Sequence, residues 1–131
     1  MLFGSLDALA SGLTAQRLRM DVVSNNLANA ETTRTPGGGP FRRQLVELMS
    51  ITPTATNPGG VEVSGIVPDS SPFPQRYDPG SPDANAQGYV SMPNVNPTQE
   101  MVDLLAASRA YDSDATAFSD IVREGQQALK I

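Results

Sequence analysis

Cysteine, histidine and tryptophan are all absent from this 131-residue chain. Without cysteine there is no disulfide and no thiolate. Without histidine there is no imidazole base, and the two absences together remove the usual ligands of a zinc centre. Little catalytic chemistry is left, so neither an enzyme nor a cofactor or metal site is expected. Aromatic residues make up only 5% of the chain, which leaves little with which to fill a large core. Lysine occurs once, at Lys130, and the formal net charge is -5. That balance argues against nucleic acid as a partner, because displacing counterions from phosphates requires clustered cations. No apolar run reaches the roughly 18 residues of a membrane span. The opening MLFGSLDALASGL has no basic segment and carries Asp7 within its apolar stretch, so no Sec leader is expected.

What is present is unevenly distributed. All eleven prolines fall between Pro36 and Pro97, and proline breaks helices while its exclusion permits long ones. The chain therefore divides into an N-terminal helix over 1–30, a Pro/Gly-rich extended or β segment over 31–97, and a C-terminal helix over 98–131. In the first part, Leu2, Leu6, Leu9, Leu13, Gln16, Met20, Val23, Leu27 and Ala30 recur at steps of four and three, a heptad seam. In the last, Met101, Leu104, Ser108, Tyr111, Ala115, Phe118, Val122, Gly125 and Leu129 do the same. Asn96 or Thr98 suits the N-cap of the second helix, with Pro97 at an early helical position.

The fold class expected is mainly α, with a small strand-and-turn insert between two long helices that pair as a coiled coil, parallel or antiparallel. Neither helix buries its stripe alone, since an isolated helix is only marginally formed in water. Two paired helices still leave apolar surface open, which points to further copies or partner chains.

Within the middle, FRRQLVELMSI (41–51) and GGVEVSGIV (59–67) read as strands joined by a turn. The stretch from 68 to 97 has too many prolines for central strands and too much Phe, Tyr and Val for a linker, so it reads as an ordered extended arm. DANAQG (83–88) imitates half an EF-hand loop, but Asn94 stands where the twelfth-position Glu is needed, and a turn is expected instead. GGG at 37–39 lacks the Lys and Ser/Thr of a P-loop. Arg42 and Arg43 read either as a solvated strand face or as the mark of an acidic partner. Asp112 and Asp114 point in different directions on a helix and make no acid–base pair. No small-molecule ligand is expected.

VVSNNLANAET (22–32) places three asparagines among good helix formers, at a cost of roughly 0.5 kcal/mol each relative to alanine. Registered on the heptad, Asn26 and Asn29 lie outside the apolar seam and face the same way. They read either as the fraying end of the helix or as a polar flank that touches a neighbouring chain.

The run Asn26, Leu27, Ala28, Asn29 and then Thr32 resembles the signature shared by rod and hook members of the bacterial flagellar axial proteins. YDPGSPDANAQGYVSMPNVN (77–96) and EMVDLLAASRAYDSD (100–114) follow in order. They narrow the resemblance to the flagellar basal-body rod protein family, in its proximal-rod branch designated C. The resemblance implies a structural subunit exported by the flagellar type III apparatus without a cleaved signal peptide. It also implies polymerisation with itself and other rod subunits into the shaft that crosses the periplasm and transmits torque. On that reading MLFGSLDAL is part of an uncleaved export signal. The seam residues Leu6, Leu9, Leu13, Met20, Val23, Leu27, Met101, Leu104, Tyr111, Phe118 and Val122 would carry polymerisation, and Asn26 and Asn29 polar inter-subunit contacts. The free chain is expected to order its ends only on incorporation. A cytoplasmic coiled-coil adaptor with a proline-rich arm is the competing class, separated from the first by where the protein is found in the cell.

Overall fold

A computed structural model describes residues 2–130. Helix α1 spans Leu2–Ala28 and helix α2 spans Pro97–Leu129. Between them lie β1 (Gln44–Ile51), β2 (Gly60–Pro68), β3 (Gln75–Tyr77) and β4 (Tyr89–Ser91). β1 and β2 form one antiparallel ribbon, and β3 and β4 a second, smaller one. The mainly helical class with a small β insert is therefore as the sequence implies. The 68–97 arm departs from expectation in containing a three-residue ladder, Gln75 to Tyr77 against Tyr89 to Ser91. Its prolines are tolerated there because both strands are edges.

The helices run antiparallel. As the position on α1 falls from Asn26 to Gly12 to Leu2, its neighbour on α2 rises from Glu100 to Asp114 to Gly125. α1 ends where Asn29 turns back, its amide donating to the Asn25 carbonyl at 2.8 Å and its Oδ1 accepting from the Thr32 hydroxyl at 3.2 Å. α2 begins at Asn96, whose side chain accepts from the backbone N–H of Thr98 and Gln99, with Pro97 at the first helical position. Pro97 costs nothing there because its missing N–H would have had no partner within the helix.

Apart from Val23 and the Leu2–Gly125 approach at the far end, the residues that meet are not those of the leucine seams. On α1 the buried positions are Gly12, Ala15, Val23 and Asn26, and on α2 they are Glu100 and Ala107. Apart from Val23, each precedes by one residue a position of the expected seam. Leu6, Leu9, Leu13, Met20 and Leu27 flank the contact and are half-buried, as are Leu104, Tyr111, Phe118 and Val122. Met101, expected inside, is 60% exposed. Side-chain size explains the shift. A Cβ on Gly12 would lie 2.7 Å from Asp114 Oδ2, so the helices approach where the side chains are smallest, and the leucines are displaced to the shoulders.

The β1–β2 ribbon pairs Gln44 with Pro68 through Ile51 with Gly60, interrupted by a bulge between Glu47 and Leu48. It rests on α1 at Gly60, whose φ of 121° excludes ordinary side chains and whose missing Cβ leaves room for Ser11 and Ala8. The Ser11 hydroxyl accepts the Val61 N–H at 3.0 Å. The apolar core is small and consists of Ala15, Val23, Val90, Met92, Val95 and Ala107. Of the three largest fully buried side chains, Glu100, Val90 and Asn26, only one is a hydrocarbon.

Candidate functional site

The end of α1, the start of β1, the end of β2, the extended arm and the first turn of α2 converge on Arg43. Its Nε donates to Glu100, Nη1 to Asp69 at 3.1 Å and Nη2 to Asp103 at 3.1 Å. Its backbone N–H donates to Asn94 Oδ1 at 2.7 Å. Asn94 in turn donates to the carbonyls of Asp69 and Ser71, both at 3.0 Å. Next door, Arg42 donates to the Asp69 carbonyl at 2.6 Å and stacks 4.1 Å above the Phe73 ring.

Asn26 closes the junction from the side of α1. Its Nδ2 donates to the Gln44 carbonyl at 2.9 Å and to Glu100 Oε2 at 3.2 Å, while its Oδ1 accepts the Gln44 N–H at 3.0 Å. Asn26 is 1% exposed and Glu100 0%. Among the described residues no buried side-chain nitrogen or oxygen lacks a hydrogen-bond partner. Enclosing a charge this deeply is tolerated only when it is paired and fully hydrogen-bonded.

The electrostatics follow from this packing. Burial opposes the charge of Arg43, but the bonds and attraction of Glu100 and Asp69 outweigh it and raise its pKa above the ordinary value. Asp69 is pulled down to about 2, first by the hydroxyl and backbone N–H of Ser71 and then by Arg43. A second contact ties down the loop after α1. Asp83 accepts from the Thr33 hydroxyl at 2.7 Å and from Arg34 at 2.6 Å, and the Thr33 bond leads in lowering its pKa.

Nothing in this arrangement resembles a reaction centre. The carboxylates are held by a guanidinium that does not titrate, and the hollow beside them, lined by Arg43, Glu100 and Asp103 among others, has a volume of only about 120 Å³. An open concavity of about 560 Å³ between the start of α1 and the loop 53–58 is lined by Gly4, Ser5, Ala8 and Pro53 to Pro58, with no ionisable side chain. Among the described residues no cluster of acidic side chains has the geometry of a metal site. In DANAQG, Asn85 Oδ1 accepts from the N–H of Gln87 and Tyr89, which makes the segment a turn. The junction is a clamp.

Asn26 thus corrects the sequence expectation. It is not on a polar flank but at the centre of the chain, and its amide is fully occupied by partners in the same molecule. The bonds of Asn29 are local as well and finish the helix. Arg43 has acidic partners, as one reading of the Arg pair held, but they belong to its own chain. Glu100, Asp69, Asp103, Asn94 and Gln44 went unread as a group. Their only sequence signal is an acidic residue in the first turn of α2, where the helix dipole favours negative charge.

Comparison with known proteins now bears on what the clamp belongs to. Residues 6–34 match the family model described as flagella basal body rod protein, and residues 86–121 match flagellar basal body rod FlgEFG protein C-terminal. The flagellar basal-body rod protein FlgC of Borreliella burgdorferi is 42% identical, over 99% of this chain and 97% of the relative. The chain belongs to the FlgC family of flagellar basal-body rod proteins. FlgC of Bacillus subtilis is 44% identical over 98% of the chain and 97% of its own length. FlgC of Escherichia coli O157:H7 is 39% identical over 92% and 90%. The first match takes in Asn26, and the second takes in Asn94 and Glu100. The two matched segments thus contribute opposite sides of the Arg43 clamp.

Proposed function

We infer that the chain is a structural subunit of the proximal rod of the flagellar basal body, without enzymatic activity. The observation that carries this is full-length similarity to FlgC proteins, joined to a structure whose buried polar cluster around Glu100 and Asn26 binds the chain to itself. We further propose that it is exported through the flagellar type III apparatus, with the first residues of α1 in the uncleaved signal. In the rod it joins other rod subunits and copies of itself in a helical shaft. Torque then passes through many packed contacts.

The surfaces for those contacts are apolar and outward. Met101, Val102 and Leu105 are 60%, 56% and 53% exposed along one side of α2. The half-buried flank of Leu6, Leu9 and Leu13 lies on α1, and Leu2, Phe3 and Leu129 are exposed at the far end of the helix pair. Neighbours in the rod cover these surfaces, and the helix pair continues as a coiled coil once they do. Contacts of this kind are heterologous and propagate without closing. Fractionation tests the reading. The chain is expected with purified basal bodies, and recovery only in the cytoplasm favours the adaptor instead.

A further inference from the structure

Two exposed surfaces of this chain complement each other in charge and hydropathy. On α2, Val102, Leu105, Ala106 and Arg109 follow the spacing of a core-facing stripe, yet all four are exposed. The stripe is apolar until it ends in a cation. On the β1–β2 ribbon, alternation holds Val61, Val63 and Val67 half-buried and leaves Glu62, Ser64 and Ile66 on the outer face. Met49, opposite Glu62, shares that face, and Met49 and Ile66 are 55% and 49% exposed. Between Gln44 and Pro68 the charged residues are Glu47 and Glu62, both acidic. None of the ion pairs among the described residues uses Glu62 or Arg109. Neither strand packs on α2 within the chain, so both surfaces are left for a contact between chains.

We propose that the stripe from Val102 to Arg109 of one copy docks on the outer face of the β1–β2 ribbon of a second copy. Arg109 meets Glu62, and the apolar residues of the stripe cover Ile66 and Met49. The contact rests on the reading of the chain as a rod subunit and assigns two of its surfaces to each other. The lengths agree. From Ile66 to Glu62 the strand advances about 13 Å, from Val102 to Arg109 the helix advances about 10 Å, and the long arginine side chain spans the difference. Charge selects the pairing, because a ribbon laid on a ribbon sets carboxylates against carboxylates, whereas a stripe laid on a ribbon offers them a guanidinium. Each copy joined in this way keeps one of its two surfaces free for the next, so the contact is heterologous and propagates without closing. It is a contact between incorporated chains and asks for no ordered helix in the free one.

The test is cross-linking in basal bodies. The chain has no cysteine, so a thiol can be placed without background. Ile66→Cys and Val102→Cys are made in separate full-length chains with tags of different size, expressed together in place of the natural chain. Purified basal bodies are then treated with a short bis-maleimide. A mixed dimer holding one chain of each tag is expected, and it can form only between molecules. Both chains present without a mixed dimer overturn the proposal, as do dimers of like with like or cross-links only to a protein of another size. Charge reversal decides the matter if a thiol chain does not enter the rod. Arg109→Glu and Glu62→Arg are each expected to lower the amount of chain in basal bodies at least about fivefold. The two together are expected to restore it to within about twofold of the natural level, and a double variant no better than either single change overturns the proposal. A natural chain missing from the basal bodies overturns the rod reading and this contact with it. A natural chain present there, with the contrary cross-links or charge effects, overturns the contact alone.

Discussion

The Arg43 guanidinium binds Glu100 at a point where no part of the Glu100 side chain reaches solvent. A single cation is shared there among three carboxylates drawn from β2's end and α2's first turns. The charge stays buried because each oxygen of Glu100 has its own donor, Arg43 on one and Asn26 on the other.

Arg43→Met should therefore destabilise the fold far more than an average substitution. Removing one partner of a buried pair leaves an uncompensated charge and costs about 3–5 kcal/mol. Arg43→Met with Glu100→Met should cost less than the two single changes added, since it removes both charges. Urea midpoints of the three variants measure both statements, and additive losses would contradict the pairing.

Asn26→Ala removes the donor and acceptor that satisfy Gln44. Leaving buried backbone groups unpaired costs about 1–3 kcal/mol each, so a loss of about 3 kcal/mol is expected, against less than about 0.5 kcal/mol for the exposed Asn25→Ala. Equal effects at the two positions would return Asn26 to the surface.

Gly12 sets how closely the helices approach. Gly12→Ala gains about 1 kcal/mol of helix propensity but must rotate Asp114 aside, and the two effects nearly cancel. Gly12→Leu has no such escape and should destabilise by about 1–3 kcal/mol through overpacking. Thermal midpoints of the pair distinguish a close contact from an open one.

Acid should loosen the clamp within a definite window. The carboxyl of Asp69 has an ordinary value of 3.8 and sits at about 2 in the folded chain. The unfolded chain therefore takes up the proton first as pH falls. The stability that Asp69 contributes is complete above 3.8 and is lost as the pH drops towards about 2. Urea midpoints at pH 5 and pH 2.5 should differ more for the natural chain than for Asp69→Asn, and equal differences would show that Asp69 is not held down.

Much of the architecture was legible because it depends on local rules. Proline confined to the middle left both ends free to be helical, and the neighbourhood of Pro97 narrowed the cap of the second helix to Asn96 or Thr98, of which the structure has Asn96. The alternating Val61 and Val63 marked β2. The pairing face was not legible, because a heptad counts apolar residues, whereas close approach selects small ones. Gly12, Ala15 and Ala107 carry little hydropathic signal, yet they are where the helices touch. The clamp was hidden for a related reason. Asn26 read as a helix end or a polar flank and Glu100 carried no signal beyond its place early in α2, and only the folded chain shows that partners far apart in sequence satisfy them. Family likeness lay in the same Asn-Leu-Ala-Asn run, whose first asparagine turns out to serve the fold.

The clamp that holds the chain together is distinct from the outward apolar surfaces proposed to join it to the rod, and Leu105→Asp tests that separation most directly. Leu105 is 53% exposed, so the variant should fold with nearly unchanged stability, within about 0.5 kcal/mol. The decisive measurement is the amount of the natural and variant chains in purified basal bodies. The natural chain is expected there and the folded Leu105→Asp chain is expected to be depleted. Leu105→Asp at the natural level, or a natural chain missing from the basal bodies, would contradict the account.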